Sequence, residues 1–428
     1  MDYREALDHL DRLINYEVQP RAGAIKGLSL DKMLKVMEIL GDPQHACAVI
    51  HITGTNGKGS TARMIESLLD AMGLRVGLYT SPHLVTPCER IRVGAAELDR
   101  STFGQAVGDI ARLVEAAELE PLSWFETVTA AAFAHFANEA VEVAVVEVGM
   151  LGRFDATNVV DGQVAVITNV GRDHTDGAPG WWRRVAQEKA GIVKAGSSVV
   201  VGENTAELSE IVAAQSPASI VTPALLSNEV AVGGRLLSIE TPRTTHSDVF
   251  LGLHGAHQGH NAALAVCAVE EFFDAPLSSE VLGEAFGSVE APGRLEVVHR
   301  SPLMLLDAAH NPPGAQALAR SLEEDFGGFN RRFLVFGIQA GRDPAEVLGA
   351  LDAANFDLLV TCTAPTPRGV AARALCETAV SLGARAESVA DIATALDFVL
   401  DQADDEDLIA VAGSVTVLEV AREFAAEL

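Results

Sequence analysis

The feature that most constrains this 428-residue chain is a glycine-rich loop, Gly54-Thr55-Asn56-Gly57-Lys58-Gly59-Ser60, set between two runs of opposite character. Before it, residues 47–53 (CAVIHIT) form a short β-branched run that reads as a buried strand. After it, residues 61–72 are amphipathic and end at Gly73, which reads as a helix with its stop signal. Such a loop lets successive backbone N–H groups face one centre, and the following helix adds partial positive charge there. Lys58 can reach a terminal phosphate from this position. The spacing is not that of the standard phosphate loop, because Gly59 follows the lysine and the hydroxyls come later, at Ser60 and Thr61. The plain alternative is a glycine-rich turn with a chance lysine, and the flanking strand and helix argue against it.

Strand, loop and helix keep alternating. Residues 75–80, 141–148 and 163–169 read as strands, and residues 3–13, 29–40 and 181–192 as helices. This alternation predicts a doubly wound parallel sheet. From about 197 to 254 the texture shifts to short β-type runs and turns, which predicts a small antiparallel subsheet on the first domain. Helical spacing resumes at 257–273. Pro292-Gly293-Arg294 punctuates the chain and divides it into domains 1–293 and 294–428. The second part reads as another α/β unit, with strands at 303–307, 332–337, 356–362 and 408–412 and helices at 314–326, 344–353, 370–382 and 391–402.

Bulk properties exclude several roles. The formal charge of −28 argues against broad nucleic-acid or anionic-membrane binding. It also means that an anionic substrate must be met by local positive groups. The five cysteines are scattered without a CxxC pair, which fits reduced thiols in a cytoplasm. The first residues lack a signal peptide's apolar stretch, and no apolar run approaches spanning length, so no membrane partner is expected.

The run HITGTNGKGSTARMIESLL resembles the folylpolyglutamate synthase/dihydrofolate synthase family, a branch of the Mur ligase superfamily. The likeness covers nearly the whole chain, through YTSPHLVTPCERIRV, SWFETVTAAAF, VEVGMLGRFDATNV, ITNVGRDHTDG, QEKAGIVKAG, HQGHNAALA, APGRLEV, LLDAAHNPPGA and VFGIQAGRDP. It implies an α/β fold: an N-terminal P-loop-type ATPase domain with a doubly wound parallel sheet and a small antiparallel subsheet, then a smaller Rossmann-like C-terminal domain. It implies ATP-dependent addition of L-glutamate to a pterin or folate carboxylate through an acyl phosphate, by a monomer, with ATP lying between the domains.

Individual residues support or qualify this. Glu147 ends the apolar strand VAVVEVG, where ligands of parallel sheets gather. The plainer alternative is a carboxylate capping a nearby helix. By resemblance Ser81, Glu147 and His174 ligate Mg²⁺, and Ser81 supplies the hydroxyl that Gly59 lacks. By resemblance too, Lys189 is carbamylated and helps hold a second Mg²⁺, although alone it reads as a surface lysine. The loop residues Gly54 to Thr61 and Asn261, Arg294, Asp307 and His310 are implied to contact ATP. Lys58, Lys189, His174 and Arg294 are implied to be catalytic. Glu89, Arg90, Phe125, Arg153 and Asp155 match the folate-binding region, where Phe125 could stack on a flat ring or be plain core. Departures are Leu151 within GMLGR, Arg172 in RDHT, Ala308 in DAAHNP, and Trp181-Trp182. These leave open a related ligase with another carboxylate acceptor, or a homologue that binds nucleotide without ligation.

Overall fold

A computed structural model describes residues 1–17, 29–172 and 178–428. The first sheet contains β1 (Ala48–Thr53), β2 (Val76–Tyr79), β3 (Ile91–Val93), β4 (Ala96–Glu97), β5 (Val143–Glu147), β6 (Val164–Ile167), β7 (Ser198–Val201) and β8 (Ser219–Val221). Their order is β4-β3-β2-β5-β1-β6-β7-β8. Only the β2–β3 and β3–β4 pairings are antiparallel. β5 is buried along its length, as expected for Val-rich strands covered on both faces. Alternate residues Val49, Ala144 and Val146 pack with helices Tyr3–Leu10, Asp31–Ile39, Arg100–Ala116 and Trp124–Asn138. Further along, Ala165, Ile167, Val199 and Val201 pack with helices Trp181–Ala190 and Ala206–Ala213.

The parallel register does the functional positioning. Ile52 of β1 is paired with Glu147 of β5, and Thr53 with Ile167 of β6. The glycine loop, the Glu147 carboxylate and the segment after β6 therefore emerge side by side at the strands' carboxyl ends.

A three-stranded sheet follows, in the order β11-β10-β9, from β9 (Ala224–Ala231), β10 (Gly234–Glu240) and β11 (Thr245–Leu251). It begins later than the expected 197, because β7 and β8 belong to the main sheet with a helix between them. Short strand runs such as SVVV and SIV do not by themselves say which sheet they join. Pairing, which composition does not reveal, separates them.

The last sheet runs β12-β13-β17-β14-β15-β16, from β12 (Glu296–Arg300), β13 (Leu303–Asp307), β14 (Arg332–Gly337), β15 (Leu358–Thr361), β16 (Ala386–Ser388) and β17 (Leu408–Gly413). All its neighbours are parallel except β12 against β13. Its core includes Leu305, Leu334, Phe336, Leu359 and Ala410. By compactness the chain forms two units: residues 1–228, 236–251 and 259–289, and residues 229–235, 252–258 and 290–428.

Candidate phosphate-loop and metal site

The loop is fastened to the chain that leaves β6. Asn169 Oδ1 accepts from the backbone N–H of Thr55 (3.1 Å) and of Asn56 (3.0 Å), and Asn169 Nδ2 and Thr168 Oγ1 donate to the Asn56 carbonyl at 3.2 and 2.6 Å. The Gly171 N–H donates to Thr55 Oγ1 at 2.8 Å. Glycine is needed by contact as well as by conformation. A Cβ at Gly54 would lie 1.8 Å from Thr168 Oγ1, and one at Gly57 (φ +82°) would lie 2.4 Å from Asn261 Oδ1. Asn261, on the helix Ala256–Phe273, thus stands against the loop in the same unit.

The helix after the loop starts at Lys58, three residues earlier than its amphipathic pattern suggests, and Gly57 caps it without a side-chain bond. The first turn of a helix is where backbone amides and the helix dipole can meet an anion. Lys58 Nζ folds back onto the carbonyls of Gly54 (3.2 Å) and Thr55 (3.5 Å). Ser60 and Thr61 are buried in that first turn.

Glu147, 3 % exposed, faces Gly59: a Cβ there would meet its Oε2 at 3.5 Å. The Ser81 N–H donates to the same oxygen at 3.0 Å. Glycine after the lysine thus keeps a gap between loop and carboxylate clear. A carboxylate with Ser81 against it and a phosphate loop facing it offers oxygen donors of the hard type, which fits Mg²⁺ or Mn²⁺ with water and phosphate completing the shell. Among the described residues no three His, Cys, Asp or Glu side chains converge as a metal cage. The expected ligand His174 lies outside the described residues. Lys189 is 3 % exposed near the end of its helix, so it is not the surface lysine its sequence suggests.

On the acceptor side, Phe125 is partly buried and tilts against Tyr79, with ring centroids 5.9 Å apart. A Cβ at Gly149 would lie 2.6 Å from Phe125 Cζ, so the ring rests on the Gly149 backbone. Three expected folate contacts are committed within the fold. Glu89 accepts from the N–H groups of Leu84 (2.7 Å), Val85 (2.7 Å) and Thr86 (2.5 Å). Arg90, fully buried, makes a fork to Glu17 at 2.9 and 2.7 Å, donates to His83 Nδ1 at 2.8 Å, and lies 4.4 Å from the Trp124 ring centroid. Asp155 accepts from the N–H of Met150 at 2.9 Å and from the N–H and hydroxyl of Thr157 at 3.0 and 2.6 Å. Burial pushes the Asp155 carboxyl up, opposed by those bonds. Burial, with Arg90 beside it, pushes His83 down to about 4, so its ring is neutral. Arg153 Nη2 donates to the Gln187 carbonyl at 3.3 Å, and Arg153 packs on Gly191. Glu17 and Asn169 are residues of this region that the sequence did not single out, whereas His83 and Trp124 lie within the segments HLVTPCERIRV and SWFET that resemble the pterin-binding region. Asn169 lay inside a quoted motif, but only the fold shows what it holds.

The second unit carries its own group. Asp307 ends β13 and accepts from the N–H of Leu295 and of Ala309, both at 2.9 Å. Burial pushes its carboxyl up to about 6, opposed by Arg294. Arg294 Nη1 donates to the Gly293 carbonyl at 3.1 Å. His310 Nδ1 pairs with the Ala308 carbonyl at 2.8 Å, just before a helix capped by Asn311 with Pro312 at its start.

Known proteins match this arrangement. The Mur ligase middle-domain model matches residues 52–269, and the Mur ligase glutamate ligase domain model matches 293–415. The dihydrofolate synthase/folylpolyglutamate synthase of Mycobacterium tuberculosis is 37% identical over 92% of this chain and 89% of its own length. The Mycobacterium tuberculosis folylpolyglutamate synthase complexed with ADP superposes with a TM-score of 0.91 at 34% identity, over 99% of this chain and 98% of the other. A bifunctional folylpolyglutamate synthase/dihydrofolate synthase with Mn, AMPPNP and L-glutamate bound superposes at 0.86 with 28% identity, over 100% and 98% of the two chains. With a loop, a facing carboxylate and a sheet order that fit such a site, and relatives aligned from end to end, this chain belongs to the folylpolyglutamate synthase/dihydrofolate synthase family of Mur ligases.

Proposed function

We propose that this chain uses ATP and a divalent metal to join L-glutamate to a folate-type carboxylate, that of dihydropteroate, the γ-carboxylate of tetrahydrofolate, or both. The observation that carries this reading is the Asn169-fastened phosphate loop whose Gly59 faces Glu147. Its ATP and metal requirements are supported by the relatives holding ADP, or Mn with AMPPNP and L-glutamate.

The acceptor carboxylate attacks the γ-phosphorus, ADP leaves, and the glutamate amine then displaces phosphate from the acyl phosphate to give the amide. Two anions must meet, so the chain's task is neutralising and aligning them. Lys58 and the first-turn amides cradle the phosphates. Asn261, Arg294, Asp307 and His310 are the further proposed ATP contacts. Glu147, Ser81 and His174 are the proposed residues that would hold a divalent metal, which when bound would supply positive charge against the phosphates. Lys189, as a carbamate, is proposed to help hold a second Mg²⁺, and its burial supports the reading. Phe125 is proposed to seat the acceptor ring, and Arg153 is a further proposed acceptor contact. Glu89, Arg90 and Asp155 would serve it through the loops they hold. The protein is proposed to act as a monomer in the cytoplasm, where its five free thiols stay reduced.

The test is to supply ATP, Mg²⁺ and glutamate with dihydropteroate, tetrahydrofolate or no acceptor. Acceptor-dependent ADP release with a mass gain of one glutamyl unit is expected. ADP release that no pterin stimulates would overturn the assignment.

A further inference from the structure

His51 sits in the middle of β1, three residues before the phosphate loop, and is fully buried. None of the chemistry above uses it. Its Nε2 lies 3.0 Å from Thr157 Oγ1. That hydroxyl donates to Asp155 Oδ1 at 2.6 Å, so its proton is spent. The only role left for it toward His51 is acceptor, which makes His51 the Nε2–H tautomer. The other ring nitrogen, Nδ1, is buried with no hydrogen-bond partner among the described residues. Burial, with Lys194 near, pushes the ring's pKa down to about 3, so it stays neutral.

The chain of bonds leads to a strained turn. Asp155 Oδ2 accepts the Met150 N–H at 2.9 Å. The next residue, Leu151, has φ +62°, a left-handed conformation that costs an ordinary side chain energy. Thr53, also on β1, holds that turn from the other side by donating its hydroxyl to the Leu151 carbonyl at 2.6 Å. Gly149, at the head of the turn, is the residue on which the Phe125 ring rests. One strand thus carries the phosphate loop at its end and, through His51 and Thr53, sets the turn behind Phe125.

We infer that His51 is a positioning residue for the acceptor: through Thr157 and Asp155 it fixes the 149–152 turn that seats Phe125. This rests on the reading that the acceptor ring stacks on Phe125. His51→Leu removes the donor, whereas His51→Gln can return an N–H near the place of Nε2. Steady-state kinetics with dihydropteroate or tetrahydrofolate, ATP and glutamate are the test. In His51→Leu the KM for the pterin is expected to rise roughly five- to ten-fold, the worth of one neutral hydrogen bond, with the ATP KM within about twofold. His51→Gln restores most of it. Thr157→Val reproduces the defect and Thr157→Ser does not, which keeps the test decisive should His51→Leu fail to fold. Histidine ¹⁵N NMR of the intact protein should show a neutral Nε2–H ring unchanged from pH 5 to 9. An unchanged pterin KM in His51→Leu and Thr157→Val, an equal rise in the ATP KM, or an Nδ1–H tautomer would overturn the inference. A wild-type protein that no pterin stimulates would instead sink the functional reading beneath it.

Discussion

At the scale of single residues, the site depends on side chains whose surroundings set their charge. Lys58 is the one loop group able to place a full positive charge on a transferring phosphate. Lys58→Ala is expected to lower pterin-dependent ADP release by about a hundredfold or more, the cost of losing one oriented charge contact, with its melting temperature little changed. Asp307 behaves differently. Its folded pKa of about 6 is above the ordinary 3.8, so the fold favours its protonated form. The stability this contributes is complete below about pH 4 and is lost as pH rises through 6. Calorimetry without nucleotide should show the wild type losing about 3 kcal/mol relative to Asp307→Asn across that window. A pH-independent difference between the two would refute the shift.

At the scale of elements, local sequence and distant partners share the work. The helix Trp124–Asn138 begins with a capping box, in which Ser123 Oγ accepts the Glu126 N–H and Glu126 accepts the Ser123 N–H. Because that helix presents Trp124 and Phe125 in its first turn, its start must be fixed. Ser123→Ala should cost about 1 kcal/mol in urea unfolding and raise the pterin KM more than the ATP KM. Phe103, Val107 and Ile110 recur at helical spacing in Arg100–Ala116, a core-facing stripe legible in the local sequence. Asn169 was not legible in the same way. An asparagine after a strand announces a turn, and its pairing with the Thr55 and Asn56 amides crosses more than a hundred residues of sequence.

At the scale of the whole molecule, sequence order and spatial order part company. Residues 229–235 and 252–258 belong with the second compact unit although the chain is still within the first part. Arg235, 3 % exposed, pairs with the fully buried Asp325 at 2.5 Å, and Asp325 also accepts the Gly255 N–H at 2.6 Å. Arg235→Ala would strand that carboxylate, costing about 3–5 kcal/mol in equilibrium unfolding. A loss under about 1 kcal/mol would show the pair to be dispensable. The same arrangement means that a cut near Gly293 would separate Asp325 from its cation.

The sequence by itself determined the parallel α/β character, the phosphate loop and its odd glycine, and the family likeness. Each is written in local spacing or in contiguous motifs, and backbone conformation and periodicity are local properties. Only the tertiary structure decided that β7 and β8 complete the main sheet, that Gly59 clears space before Glu147, and that Lys189 is buried. It alone gave Glu89, Arg90 and Asp155 partners inside the protein, and it alone joined His51 to the Leu151 turn. These depend on strand pairing and on which distant groups satisfy a buried donor or charge, and buried polar groups take their partners from space rather than from sequence.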